Sequence, residues 1–445
     1  MKRTLYLLIF CFSTVIPAVA QQKDTTVSFS LQQAIAFAQD HQISIKNAKI
    51  DEQIAINTVK QTIGLGLPQL SGNANFQDYL KVPTSLLPGE FFGAPGTQIP
   101  VKFGVKYNST LGLELNQLLF DGSYLVGLQA SKTFKELSVK TTGRNRIETT
   151  VAVTKAYYSV LVNNEQLSLI DANLERLKKS LNDAEQMFKN GFVEKIDVDR
   201  LNVLNNNLLT ERENVTRLLA LNVNLLKFQM GMTIGSKLSL TDKISDVNTS
   251  KVPILNDGQA YNRRIEYSLL QTQKKLNELD VKRYKSLFLP SLSAFGSTSA
   301  NFQDNSFKNL YDTRFPTSVI GLRLSVPLYS GGQKSYQLRN AKLESEKTSN
   351  NLINLQNSID LEVAQAQTTY LNGQQSLENQ RRNMDLAKEV LRVTKIKYDQ
   401  GVGSSLEVTT AETSLKEAQN NYINALYDML INKVNLDKAL GNINY

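Results

Sequence analysis

Hydrophobic positions along this chain follow two different periods. Leu167, Ile170, Leu174, Leu177, Leu181, Ala184 and Phe188 are spaced alternately by three and four, which predicts a helical a/d seam sustained over several turns. Past Gly191 the pattern resumes with Leu201, Leu204, Leu208, Val215, Leu218 and Leu225. A second seam runs through Leu377, Met384, Leu391 and Tyr398, with Ala387 and Thr394 between them and Gln380 as an interruption. Elsewhere the period drops to two. Leu70, Gly72, Ala74 and Phe76 fall on one face against Gln69, Ser71, Asn73, Asn75 and Gln77, and Leu111, Leu113 and Leu115 alternate with Thr110, Gly112, Glu114 and Asn116. Leu292, Ala294, Gly296 and Ala300 stand against Ser291, Ser293, Ser297 and Ser299, and Ile320, Leu322, Leu324 and Val326 against Val319, Gly321, Arg323 and Ser325. Alternation over about ten residues is the pattern of a transmembrane barrel strand, apolar toward lipid and polar toward a lumen. A soluble half-buried hairpin reads alike.

Proline placement separates the two regimes. No proline lies between Pro100 and Pro253, and none follows Pro327. An interior proline costs a helix about 3 kcal/mol, so two long stretches are free to be helical. A helix from about Ser123 to Phe188 would span roughly 100 Å, too long for a compact domain. Gly127, Gly143 and Gly373 are candidate break points. The halves also repeat: Leu67-Pro68-Gln69-Leu70-Ser71 returns as Leu289-Pro290-Ser291-Leu292-Ser293, Gly112-Leu113-Glu114-Leu115 as Gly321-Leu322-Arg323-Leu324, and Phe120-Asp121-Gly122 as Tyr329-Ser330-Gly331. Phe188-Lys189-Asn190-Gly191 returns as Tyr398-Asp399-Gln400-Gly401, and Met230-Gly231 as Leu440-Gly441. The same elements are therefore expected twice in the same order.

Four strands per chain cannot close a membrane barrel, and open edges are not tolerated in hydrocarbon. Two copies would give eight strands with a filled interior; three would give twelve and leave a lumen. A trimer is thus expected, provided the strands span. Asn73, Asn75, Glu114 and Arg323 are then lumen-facing, with Glu114 and Arg323 in repeat-equivalent positions. Solvation in a wet pore accounts for both better than a specific salt bridge.

Residues 1–20 have the layout of a secretory signal: Lys2 and Arg3, an apolar stretch from Leu5 to Ile16, and Ala18-Val19-Ala20 before Gln21. Cys11 follows the bulky Phe10, unlike the small residue usual in lipidation signals. It is the only cysteine of 445 residues, so the mature chain would hold neither disulfides nor thiolate metal sites. No later apolar run is long enough for a spanning helix, so anything crossing a bilayer must be a closed barrel. The formal charge of +9 falls to about +7 without Lys2 and Arg3. Basic residues are scattered among acids rather than clustered with aromatics, which argues against nucleic-acid binding. His41 is the one histidine, expected on the surface of an amphipathic helix. No phosphate loop or nucleophile elbow is present. Neither an enzyme nor a cofactor or metal protein is expected.

The order helix, hairpin, long helix, glycine turn, returning helix, given twice, resembles the TolC-like outer-membrane factors of tripartite efflux and type I secretion systems. The likeness runs from about Leu31 to Asn444. It is most specific at Leu289-Pro290-Ser291-Leu292, at Val326-Pro327-Leu328-Tyr329-Ser330-Gly331-Gly332, and at Tyr398-Asp399-Gln400-Gly401 with a following helix ending Ala439-Leu440-Gly441. Ala34 to Ala48 is similar to the family's opening helix, with His41-Gln42 where Asn-Pro is common. Asn262-Arg263-Arg264 resembles an Asn-Arg-Pro start without the proline. The resemblance implies a mainly α fold with a small β part: a trimeric twelve-stranded barrel in the outer membrane, continued across the periplasm by an α-barrel of long antiparallel helices. It would be an exit duct working with a periplasmic adaptor and, through it, an inner-membrane pump or ABC exporter.

On that reading, residues 21–230 form the first repeat, with a hairpin at about 68–120 and a helical tip near 188–198. Residues 231–258 form an equatorial segment, and 259–445 the second repeat, with a hairpin at about 289–328 and a tip near 398–408. By resemblance, Gly191, Phe192 and Val193 with Gly401, Val402 and Gly403 are where adaptor hairpins would dock, although glycine at a helix terminus explains Gly191 and Gly401 by itself. Asp197 and Glu407 match acids that narrow the family's periplasmic mouth, and Asp199 lies close by. Three copies would gather the matched pair into a ring favouring cations. Acids at a helix N-terminus also simply complement its dipole. Gly403 and Thr410 stand where family members carry a tip arginine and a second acid. A secreted periplasmic or surface coiled-coil protein, structural or adhesive, is the competing reading.

Overall fold

In the computed structural model, residues 27–93, 95–244 and 260–443 are described. The expected signal segment and the later part of the equatorial segment, residues 245–258, lie outside them. The chain enters through β1 (Val27–Phe29) and α1 (Leu31–His41), and α2 (Ile43–Gly64) leads to the sheet. Strand β2 (Gln69–Asp78), a hairpin of β3 (Thr84–Pro88) and β4 (Gln98–Lys102), and β5 (Tyr107–Phe120) follow. Helix α3 (Gly122–Lys189) runs out from the sheet and α4 (Lys195–Met230) returns. After β6 (Leu238–Leu240) the order recurs: α5 (Ile265–Ser286), β7 (Ser291–Asp304), β8 (Phe315–Ser325), α6 (Gln333–Asp399) and α7 (Ser405–Ala439).

Helix α3 has 68 residues and α6 has 67, each about 100 Å long. The expected glycine breaks do not occur: both helices run on through Gly127, Gly143 and Gly373. Gly373 serves packing instead. A Cβ there would lie 3.2 Å from Asn432 Nδ2 and 3.4 Å from Met429 Cα on α7, so its absence lets the two backbones approach.

The opening helix, in contrast, divides at Gln42, which is extended at φ −63° and ψ 128°. Arg264, ahead of α5, has φ −80° and ψ 128°. Both values suit proline, the residue that the family resemblance expects at each of these positions. Each break receives a helix end from its own half. Gly231 closes α4 at φ +71°, where a Cβ would sit 2.6 Å from the His41 carbonyl. Gly441 follows α7 at φ +70°, where a Cβ would meet Arg263. Positive φ and contact with backbone both demand glycine.

Within each helical pair the seam is apolar. Ile170, Leu177 and Ala184 of α3 bury against Val198, Leu201, Leu208 and Val215 of α4. Met384 and Leu391 of α6 bury against Ala411 and Leu415 of α7. The expected continuation of the first seam fails above Val215, because Leu218 and Leu225 are exposed there with Leu221 and Phe228. At that level α1 packs beside α3 and α4, and Leu226 and Met230 turn inward instead against Ala34 and Ala38. Parallel pairing of β1 with β6 closes this middle zone. The buried Tyr157 hydroxyl lies 2.9 Å from Asp242 and 3.1 Å from the Phe29 carbonyl, while Asp242 accepts the Leu31 N–H at 2.8 Å. Burial, then the Asp242 hydrogen bond, raises the Tyr157 pKa, so the hydroxyl stays a donor.

Candidate functional site

The sheet runs β2-β5-β7-β8, antiparallel throughout, and its two edges are unpaired among the described residues. Opposed residues of neighbouring strands share a face. Asn73 meets Gly112, which meets Ser299; Asn75 meets Thr110, which meets Asn301; Glu114 meets Ser297. Arg323 lies on the same face, opposite Ser293. The structure thus gathers Asn73, Asn75, Glu114 and Arg323 on one polar surface. Thr110 donates to Asn301 at 2.9 Å, and Asn116 donates to Glu114 at 3.0 Å. Glu114 and Arg323 do not pair: the Arg323 guanidinium lies over the Phe295 ring at 5.1 Å. That ring rests where Gly321 has no side chain, since a Cβ there would fall 2.7 Å from it.

The other face carries Leu70, Leu111, Leu113, Leu115, Ile320, Leu322 and Leu324, all exposed, with Ile320 at 91%. Such an apolar surface requires a non-aqueous cover. Aromatic residues bound it. Phe76, Tyr107 and Phe307 cluster at one end with centroids 5.7–6.3 Å apart, and Phe120, Phe288 and Tyr329 are exposed toward the other. The ten steps from Leu292 to Phe302 span about 23 Å at roughly 3.3 Å each and 45° tilt, close to the ~25 Å apolar band of a membrane barrel. No described helix is long and apolar enough to cross a membrane.

At the far end of the helices, α3 stops at Asn190 and Gly191, the latter at φ +79°, with Phe192 N–H bonded to the Met187 carbonyl at 2.9 Å. Gly401, at φ +75°, ends α6 likewise, and Val402 N–H bonds the Lys397 carbonyl at 3.0 Å. Phe192 and Val402 project into solvent at 81% and 79% exposure. Val193 and Gly403 are half-buried. Gly403 lies so close to the α6 end that a Cβ would sit 3.0 Å from Tyr398 N.

The three acids differ in setting. Asp197, in the first turn of α4, pairs with Arg200 at 3.3 Å and is mostly covered. Burial raises the Tyr398 pKa, and the charges of Asp197 and Asp399 raise it further. Asp199 and Glu407 are exposed. Ser404 caps α7 by accepting the Glu407 N–H at 3.2 Å.

A further polar contact joins the two helical pairs. Arg176 of α3 chelates Glu412 of α7, at 3.0 Å through Nε and 2.8 Å through Nη2. Asn173 donates to Gln419 at 2.6 Å, and Glu211 of α4 takes Lys416 at 2.6 Å and Asn420 at 3.1 Å. Glu412 and Gln419 are buried. The signal in the sequence was slight: two polar residues seven apart on a helix face that also carries Val408 and Leu415. Among the described residues there is no group of side chains able to hold a metal ion.

Comparison with known proteins agrees with this geometry. Residues 266–442 match the family model described as Outer membrane efflux protein. The chain is 25% identical over 351 residues to Outer membrane protein TolC of Salmonella enteritidis, covering 77% of this chain and 71% of that protein. It is 23% identical to Alkaline protease secretion protein AprF of Pseudomonas aeruginosa, covering 73% of this chain and 67% of the other. The crystal structure of the open state of the Neisseria gonorrhoeae MtrE outer membrane channel superposes with a TM-score of 0.75 at 18% identity, covering 94% of both chains.

Proposed function

Because this chain belongs to the TolC-like outer-membrane efflux proteins, we propose that three copies close its open sheet into one twelve-stranded barrel, continued by their helices into a periplasmic tube. The chain is a channel protein rather than an enzyme, an exit duct for efflux or type I secretion in the outer membrane. The carrying observation is the four-stranded sheet with two unpaired edges, one apolar face and one polar face. Unpaired edges are untenable in hydrocarbon, so the sheet needs partners to span it. The exposed stripe Leu218, Leu221, Leu225 and Phe228 on α4 has three-and-four spacing and suits a helix of the next copy.

The tips carrying Phe192, Val193, Val402 and Gly403 are the surface we assign to a periplasmic adaptor, which links the duct to an inner-membrane pump or ABC exporter. Asp199 and Glu407, with Asp197 behind them, form the acidic mouth. In planar-bilayer recordings the protein is expected to conduct and to prefer cations. The triple variant Asp197→Asn, Asp199→Asn, Glu407→Gln is expected to lose several-fold of that preference. Unchanged selectivity would remove the acidic ring; absence of conductance would remove the duct.

A further inference from the structure

Glu114 and Arg323 are the charged strand residues of the sheet's polar face, and they stand apart. Glu114 is opposite Ser297, whereas Arg323 is opposite Ser293, four positions along β7. Their strands, β5 and β8, are separated by β7. The offset is about 13 Å along the strands and about 10 Å across them. That exceeds the screening length of about 8 Å in physiological salt, so neither charge neutralises the other.

Arg323 is held in place. Its guanidinium lies 5.1 Å from the centroid of the Phe295 ring, within cation–π range. Phe295 is half-buried on a face made chiefly of serine, threonine and asparagine, and the tip of its ring fills the space that Gly321 leaves. Stacking uses the flat of the guanidinium and leaves its in-plane N–H donors available. No carboxylate among the described residues takes them. A merely solvated arginine would need no such platform.

Its level in the fold gives the charge a place. Arg323 is two residues from the end of β8 at Ser325, beyond which the chain leads into α6. It therefore lies where the helices meet the sheet. The acids of the helical tips are a helix length away, about 100 Å, far beyond screening range.

We propose that Arg323 of three copies forms a ring of fixed guanidinium groups where the helical tube opens into the barrel, a contact site for multiply charged anions in transit. This rests on the trimeric reading above. Phe295 is the positioning residue, and the ring opposes the cation preference set at the acidic mouth.

Planar-bilayer recording of the purified protein tests this, with sodium tripolyphosphate added on the outer side, away from the acidic mouth. The parent channel is expected to be blocked reversibly. Arg323→Gln is expected to raise the half-blocking concentration about ten-fold and to increase the preference for cations. Phe295→Ser keeps the charge but removes its platform, and is expected to weaken the block about three-fold. The triple variant of the mouth acids is expected to be blocked as the parent is. An unblocked parent, or equal block of the parent and Arg323→Gln, overturns the ring. Loss of block in the triple variant also overturns it, by placing the anion site at the mouth. Parent-like block in Phe295→Ser overturns the platform. A parent that conducts no current overturns the duct reading instead.

Discussion

Replacing Glu412 by Leu is expected to destabilise the helical domain by about 3 kcal/mol, a cost typical of removing one partner from a buried ion pair. Glu412 is 8% exposed and receives both Nε and Nη2 of Arg176. Without it the guanidinium keeps only Asn173, at 2.9 Å, from this network. Adding Arg176→Met to the variant is expected to restore most of the loss, because a matched apolar pair escapes the desolvation that the ion pair suffers. Thermal unfolding in detergent, followed by helical circular dichroism and analysed as a double-mutant cycle, reads both numbers. A single variant within 0.5 kcal/mol of the parent would show that the two helical pairs are not held together here.

Placing a charge on the outward face of the sheet should cost a similar amount. Leu113 lies near the middle of β5, opposite Gly72 and Thr298 on the apolar face. Leu113→Arg is expected to cost about 2–4 kcal/mol, as arginine does at the bilayer midplane. Ser297→Arg sits on the other face, opposite Glu114, and is expected to cost close to nothing. Urea titration of folding into lipid vesicles checks the pair. Equal costs would mean that the two faces do not see lipid and lumen.

The helical pairs were legible in the sequence where one period governs. The seam from Ile170 to Val215 follows three-and-four spacing and buries as expected. It was misread past Val215, since periodicity says which residues share a face but not which neighbour the face meets. There α1 takes one side of α4 and leaves Leu218 and Leu225 outward. The sheet faces were readable because alternation fixes them strictly. Strands β3 and β4 were hidden by Pro83, Pro88, Pro95 and Pro100, which argue against a strand inside a sheet. In a lone hairpin both strands are edges, and an edge tolerates proline. Gly373 read as a break because a missing side chain signals flexibility and close packing alike. The Arg176–Glu412 contact was invisible because a polar residue at a helix seam looks like a solvated one until the second helical pair is laid against it. At the tips, the positive φ of Gly191 and Gly401 could be anticipated, while the covering of the Asp197 side chain depended on tertiary packing.

The central claim is that one polypeptide supplies only part of a cylinder. The mass of the purified, detergent-solubilised particle tests it most directly. Three chains of 49.8 kDa each, less any cleaved signal and held together in dodecyl sulfate until heated, is the predicted outcome. A single chain that stays folded and monodisperse in water without detergent would contradict it.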